Sequence, residues 1–369
     1  HIQEKEAEWA LRDTRSRKVA RRAEAAPLYT VEQARTSLGR LVATDYDVWI
    51  EPGAGVRCRF RDAGHILGSA IIEIDIGERG HTRRLVASGD IGQPMRPVLR
   101  DPVRIAHADY LCVESTYGNR AHRSFAATCD ELVLALRRTL EVDGGNVIIP
   151  AFAVGRTQEV LFVLADLVRA GRIGRLDVVV DSPMASAVTA LTVRHADLWD
   201  DETRALYAWA EANPGRFRVR FVQDVEESMA LNAVKGGLVV ISASGMCDAG
   251  RIKHHLRYNL GRRECAVVIA GFQAAGTLGR RLVDGAHQVT LFGERIPVRA
   301  RIHTIGGLSA HADQPALLDW LRGFGEAPRR TFVVHGEPTA AAAFVEAVER
   351  ELGWSGVEAA QAGVPVMLK

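Results

Sequence analysis

Short apolar runs that end in polar turn residues alternate with longer amphipathic stretches along most of this chain. Runs of about four to eight residues bounded by turn residues are typical of strands, and apolar residues three and four positions apart are typical of helices. The clearest runs are residues 56–61, 69–76, 84–87 and 110–113, and three of them precede His65, Asp90 and Glu114. The alternation predicts an α/β fold with polar side chains at strand ends.

The pattern divides the chain into three parts. In the middle part, buried runs at 146–149, 177–180, 238–241 and 266–270 alternate with helical stretches at 125–140, 157–170 and 186–195. This order is typical of a doubly wound parallel sheet. The last part of the chain resembles the first part again, with strands expected at 299–305 and 331–334 and helices at 314–322 and 339–352. We therefore expect a first domain over 1–120, an inserted domain over 121–300, and completion of the first domain by 301–369.

Composition excludes some classes of protein and leaves others open. Apolar residues make up 47% and charged residues 25% of the chain, with no apolar run near the about 18 residues that span a membrane. A net charge of +2 means that any phosphate-binding role needs a local basic surface. The five cysteines are scattered without a C-x-x-C pair, which argues against disulfides and thiolate zinc and fits a reducing cytoplasm.

Five polar residues stand out because each lies among small residues beside a predicted strand or helix: His65, Asp90, Glu114, His311 and His335. Imidazole and carboxylate are the ligands that suit zinc, manganese or iron. Each residue also has a structural explanation, such as a turn or the cap of a helix, and His311 is followed by Asp313, a good helix cap. Their joint occurrence favours a metal site.

The motifs around these residues resemble those of the β-CASP family of metallo-β-lactamase-fold nucleases. They are G-H-I-L-G-S-A around His65, S-G-D at Asp90, E-S-T-Y-G-N-R from Glu114, S-A-H-A-D around His311 and V-V-H-G-E around His335. Residues 151–159, 242–246, the D-S-P-M-A from Asp181 and the glycine-rich stretch from Gly271 are similar to the inserted domain. The resemblance implies a metallo-β-lactamase αββα sandwich with an inserted, doubly wound β-CASP domain.

The resemblance also implies a role for each residue. His65, Asp90 and His335 would be metal ligands, with Asp90 bridging two zinc ions or other divalent metals. Glu114 and His311 would form a catalytic pair in which the histidine protonates the leaving 3′ oxygen. The family's first metal motif, H-x-H-x-D-H, does not occur in this sequence. Because the chain starts at His1 rather than Met, we expect that motif to lie upstream.

Four further residues are candidates for substrate contact: Arg156, Ser244, Gly245 and Ser309. Arg156 follows a glycine at a predicted helix start, where its guanidinium could bind phosphate in a bidentate way. The glycine-rich stretch from Gly271 could equally serve phosphate binding or close packing. The arginine-rich segment over 12–22 is interpreted as a solvated helix face, with an RNA tether as the alternative.

We therefore expect a cytoplasmic zinc-dependent hydrolase that cleaves single-stranded RNA, endonucleolytically, by a two-metal mechanism, with a homodimer possible and no membrane. Two alternatives lie within the family: a catalytically inactive scaffold that binds RNA or a nuclease partner, and a 5′–3′ exoribonuclease. A small-molecule metallohydrolase on the same fold is a more distant alternative. The resemblance to the 3′-end-processing branch, rather than the RNase J branch, favours endonucleolytic cleavage.

Overall fold

The computed structural model describes residues 27–78 and 80–368. The arginine-rich segment over 12–22 lies outside them. Residues 27–48 contain one short helix, α1 (Val31–Leu38), which begins with a capping box between Thr30 and Gln33. None of the described helices combines the length and the hydrophobicity that crossing a membrane requires.

The part of the chain from Trp49 onward contains two large sheets and a hairpin. Its strands are β1 Ile50–Gly53, β2 Val56–Asp62, β3 Ala70–Glu78, β4 His81–Ala87, β5 Tyr110–Glu114, β6 Val147–Pro150, β7 Leu176–Val180, β8 Phe217–Phe221, β9 Val239–Ser242, β10 Ala266–Ile269, β11 Gln288–Leu291, β12 Glu294–Pro297, β13 Arg301–Thr304, β14 Arg330–Val334 and β15 Val357–Ala359. Its helices are α2 Phe125–Arg137, α3 Arg156–Arg169, α4 Pro183–Arg194, α5 Asp201–Ala212, α6 Val225–Leu231, α7 Ile252–Asn259, α8 Leu278–Val283, α9 Gln314–Leu321 and α10 Pro338–Leu352.

The first sheet has the strand order β1-β2-β3-β4-β5-β14-β15. Neighbours are antiparallel from β1 to β4 and parallel from β4 to β15. Helices α9 and α10 pack on one face, where Leu317 and Phe344 join the core formed by Ile71, Val86 and Leu111. The parallel pairing places Val334 beside Glu114, so the ends of β5 and β14 lie together at one edge.

The second sheet has the order β13-β10-β6-β9-β7-β8, and every neighbouring pair is parallel. Helices α2 and α3 bury Leu136 and Leu164 against one face. Helices α7 and α8 bury Leu256 and Leu282 against the other. Because both faces are covered, the central strands are apolar throughout, as the sequence pattern predicted.

One strand lies in a different sheet from the one expected. Residues 299–305 were expected to resume the first domain, but β13 pairs in parallel with β10 in the second sheet. Its side chains explain the difference, because Ile302 packs with one apolar cluster of that sheet and Ile305 is buried in the other. The division of the chain into domains stays a prediction, and this pairing favours a boundary after β13 rather than at residue 300.

Candidate metal centre and substrate cleft

Three side chains predicted as metal ligands converge beside the C-terminal ends of strands in the first sheet. His65 follows β2, Asp90 follows β4 and His335 follows β14. One Asp90 oxygen, Oδ1, lies 3.2 Å from His335 Nδ1, and the other, Oδ2, lies 3.8 Å from His65 Nε2. The carboxylate thus lies between two imidazoles that are 270 positions apart in the sequence.

Glycine permits the close approach of the loops that carry these residues. A Cβ atom on Gly92 would lie 2.0 Å from the carbonyl oxygen of Gly64, next to His65. A Cβ atom on Gly336 would lie 2.3 Å from Ser115 Oγ, next to Glu114. Any larger residue at either glycine would push two of the site's loops apart.

Glu114 and His311 form a buried carboxylate–imidazole pair. His311 Nδ1 lies 3.0 Å from Glu114 Oε1 and 3.2 Å from Oε2, and Glu114 is only 1% exposed. Burial raises the pKa of Glu114, but hydrogen bonds from His311 and from the amides of Thr116 and Ile91 outweigh burial and lower this pKa overall. The carboxylate is therefore ionised and fixes the orientation of the imidazole.

The backbone around His311 is held on both sides. Ala312 N donates to Ile91 O at 2.8 Å, and Gln93 N donates to Ala310 O at 2.8 Å. The carbonyl oxygen of His311 lies 2.9 Å from His122 Nε2. Asp313 caps helix α9 through Ala316 N, as the structural explanation of this segment anticipated. Both that explanation and the catalytic one are thus compatible with the observed loop.

The donor set fits a divalent metal. Burial, followed by the electrostatic effect of the neighbouring His311, lowers the pKa of His65 to about 4, so the His65 imidazole is neutral, the form in which histidine binds metals. Its Nε2 lies 3.8 Å from Asp90 Oδ2, so this nitrogen faces the cluster. Ligand atoms of His65, Asp90 and His311 lie within 4.8 Å of one another, as do those of Glu114, His311 and His335. His311 therefore belongs to both groups of candidate ligands.

The cluster opens into a cleft with a volume of about 840 Å³. One wall consists of the loops of the first sheet that carry His65, Asp90 and His335. Much of the remaining lining comes from the loops after β6, β9 and β10, which contribute Phe152, Gly245 and Phe272, among others. The carboxyl ends of parallel strands, where α/β sheets bind ligands, thus face the candidate metal centre.

The four candidates for substrate contact differ in position. Gly245, Ser309 and Arg156 line the cleft, whereas Ser244 lies outside the set of described residues that line it and accepts a hydrogen bond from Ala249 N. Arg156 is only 9% exposed, and its guanidinium donates to Glu159 at 2.6 Å. Most of its charge is therefore already balanced, which weakens its case as a phosphate contact.

Three residues that the sequence reasoning missed contribute to the site. Thr116 Oγ1 lies 3.2 Å from His335 Nδ1, and His122 contacts the backbone of His311. Phe152 lies in the cleft although it follows a buried strand. Thr116 belongs to the E-S-T-Y motif, so a search of the residues beside Glu114 could have found it. A contact with a backbone atom, like that of His122, leaves no signal in the sequence.

Similarity to known proteins agrees with this architecture. Residues 157–282 match the Beta-Casp domain, and residues 295–357 match the Zn-dependent metallo-hydrolase RNA specificity domain. A ribonuclease from Thermus thermophilus is 39% identical over 312 residues, which cover 84% of this chain and 69% of the relative. An RNase J-like protein from Methanocaldococcus jannaschii is 30% identical over 76% of this chain, and transcription termination factor FttA from Pyrococcus abyssi is 28% identical over 89% of it.

The fold and the cluster define a metal-dependent hydrolase with an inserted domain over its site. The chain belongs to the β-CASP family of metallo-β-lactamase-fold nucleases. The fold class expected from the sequence, α/β with a β-CASP insertion, is thereby confirmed. The chain spans 64% of the Methanocaldococcus relative and 51% of the Pyrococcus relative.

Proposed function

We propose that this protein is a ribonuclease that hydrolyses phosphodiester bonds of single-stranded RNA, and that it cleaves endonucleolytically. The observation that carries the proposal is the Glu114–His311 pair beside the Asp90 cluster at one wall of the cleft. A metal site and a separate, oriented imidazole are what phosphodiester cleavage requires, since the nucleophile and the leaving group need different help. The ribonuclease from Thermus thermophilus, 39% identical, supports the choice of RNA.

His65, Asp90 and His335 would hold the metal, with the two Asp90 oxygens directed to different histidines. When bound, two zinc or other divalent ions would activate water and offset the charge on the scissile phosphate. Three side chains cannot complete the coordination of two zinc ions, so the complete site needs further ligands of the H-x-H-x-D-H kind.

His311 would supply the proton for the leaving 3′ oxygen. Because Nδ1 is held by the Glu114 carboxylate, Nε2 is the nitrogen that can donate to substrate. The two contacts with the Glu114 carboxylate orient the imidazole and prevent the ring from turning. The anchored backbone at Ala310 and Ala312 holds the whole loop against the first sheet.

Two alanine variants test this division of roles in protein with a full set of metal ligands. His311→Ala should keep both metals and cleave about 10²–10⁴ times more slowly, the usual scale of general acid catalysis. Asp90→Ala should lose metal. A substrate with a much better leaving group should partly rescue His311→Ala, because less protonation is needed, but should do little for Asp90→Ala.

Elemental analysis and single-turnover rates are the measurements. Loss of metal from His311→Ala would mean that His311 is a metal ligand. Its partners would then be His65 and Asp90, whose ligand atoms lie within 4.8 Å of that of His311. Wild-type protein that holds metal and binds RNA without cleaving it would favour the scaffold. A circular RNA separates the two nuclease modes, since only an endonuclease can open it. The homodimer and the cytoplasmic location stay predictions.

A further inference from the structure

An exposed phenylalanine lines the cleft that also contains the candidate metal centre. Phe152 follows strand β6, whose residues are all buried, yet Phe152 itself is 43% exposed. Its ring lines the same cleft as Asp90 and His311. Val154 and Met184, which line the same cleft, are also exposed, at 39% and 58%. Clefts that bind ligands are typically lined by apolar and aromatic side chains together with a few polar groups.

The ring rests on a fixed support. A Cβ atom on Gly245 would lie 2.9 Å from Cδ2 and 3.0 Å from Cε2 of Phe152, so only glycine lets the turn after β9 come this close to the ring. That turn is held by Gln273 Nε2, which donates to Gly245 O at 3.0 Å. Thr157 Oγ1 donates to the carbonyl oxygen of Phe152 at 2.8 Å. These contacts hold the backbone of Phe152 and place one edge of its ring against Gly245.

A second phenylalanine of the cleft, in contrast, uses its ring for packing within the protein. Phe272 follows β10, the strand beside β6, and also lines the cleft. Its ring meets Tyr117 edge to face, with the centroids 6.1 Å apart, and Tyr117 also contacts His122. Phe272 thus serves packing between the inserted domain and the loop after Glu114. Phe152 presents its ring to the cleft from a support formed by its own domain.

We propose that Phe152 forms a base-binding subsite, on which one unpaired nucleobase of the bound RNA strand stacks. The proposal rests on the proposed function and adds to it a defined contact. Every base has a π face, so the subsite accepts any of the four bases. A base inside a duplex is already stacked on its neighbours and cannot lie flat on this ring. The subsite therefore selects for a single strand rather than for a sequence.

The subsite is tested by equilibrium binding of short fluorescent RNA strands with non-cleavable linkages, measured by anisotropy. Phe152→Leu keeps an apolar side chain against Gly245 but removes the π face, and it should weaken binding about 5- to 150-fold. Phe152→Trp should retain or increase affinity. Phe292→Leu is the matched control, because Phe292 is 48% exposed and lies outside the described residues that line the cleft, so binding should not change.

An abasic nucleotide then locates the contact. Moved along the strand, it should weaken wild-type binding strongly at one position, and at that position it should add almost nothing to Phe152→Leu, because the same contact is already lost. Equal affinity of wild type and Phe152→Leu, or additive losses at every position, would overturn the subsite while leaving the proposed function intact. Wild-type protein that binds no single strand would overturn both.

Discussion

The two sheets of this protein differ in how their faces are covered. Every residue of β6, β9 and β10 is buried, with helices on both sides. In the first sheet, α9 and α10 cover one face, while Ile72, Ile74 and Leu85 on the other face are only half buried. Among the described residues, helices thus cover both faces of the second sheet but only one face of the first.

Each sheet also carries a buried carboxylate, and their surroundings differ in the same way. Asp181, after β7, is 0% exposed and is bonded to His255 Nε2 at 2.7 Å and to Arg251 at 2.7 Å. Asp75 in β3 is bonded to Arg84 at 2.7 Å and to Arg57 at 2.9 Å. Arg57 is half exposed, whereas His255 is buried. Both carboxylates are buried, but the partners of Asp181 are largely buried as well, whereas one of the two arginines that bind Asp75 is half exposed.

The largest effect expected from this comparison follows removal of the enclosed carboxylate. Asp181→Ala leaves a buried histidine and an arginine without their shared partner and should cost about 3–5 kcal/mol. Asp75→Ala should cost less, about 1–3 kcal/mol, because its arginines can turn to water. Amide hydrogen exchange in β7 and in β3 measures each local opening free energy. Equal losses in the two sheets would contradict the difference described above.

A second effect comes from truncating a strand residue in each sheet. Ile241 in β9 is fully buried, and Ile241→Ala should cost about 2–5 kcal/mol, since a cavity remains between two helical layers. Ile74→Ala in β3 should cost about half as much or less, because water already reaches this side chain and fills the space. Denaturant unfolding with exchange readout separates the two domains. A larger loss for Ile74→Ala would mean that its face is covered in solution.

The same contrast explains which parts of the fold the sequence could predict. Strands at 56–61 and 110–113 are confirmed within one residue, because alternation and turn residues mark their ends. The strand expected at 299–305 is confirmed as a strand, but it was expected in the wrong sheet. A short apolar run in the sequence does not indicate which strand it will pair with. Helix α4 begins at Pro183 rather than near 186, a start that the Ser182 cap and the proline could have indicated.

The site residues that the sequence could predict are histidines and carboxylates that follow a strand. The structure brings His65, Asp90 and His335 together, and their roles stay a proposal. Arg156 was taken as free to reach substrate, although Glu159, three positions later on the same helix, is the expected partner for a buried guanidinium. Phe152 could not be distinguished from a core residue, because exposure of one apolar side chain depends on the loops around it.

The smallest expected effect is the loss of folding stability at low pH that follows protonation of Asp181 and Asp75. Burial raises the pKa of Asp181, but hydrogen bonds from His255, Ser228 and Arg251 outweigh burial and lower this pKa overall. The pKa of Asp75 is also lowered, chiefly by its hydrogen bond from Arg84. A carboxylate with a lowered pKa in the folded state contributes its full stability above its unfolded pKa of about 3.9 and loses it as the pH falls through the folded value.

The contribution of the Asp181 carboxylate to the stability difference between wild type and Asp181→Asn should therefore begin to fall only as the pH drops below about 4. Below about pH 4 it should shrink by no more than about 1.4 kcal/mol per pH unit, the limit for one titrating group. The corresponding difference for Asp75→Asn should shrink in the same direction, and added salt should reduce it more, because Arg57 and Arg84 are accessible to ions. Unfolding free energies at two salt concentrations measure both. Equal salt sensitivity of the two carboxylates would mean that the enclosure of Asp181 does not protect its ion pairs from solvent.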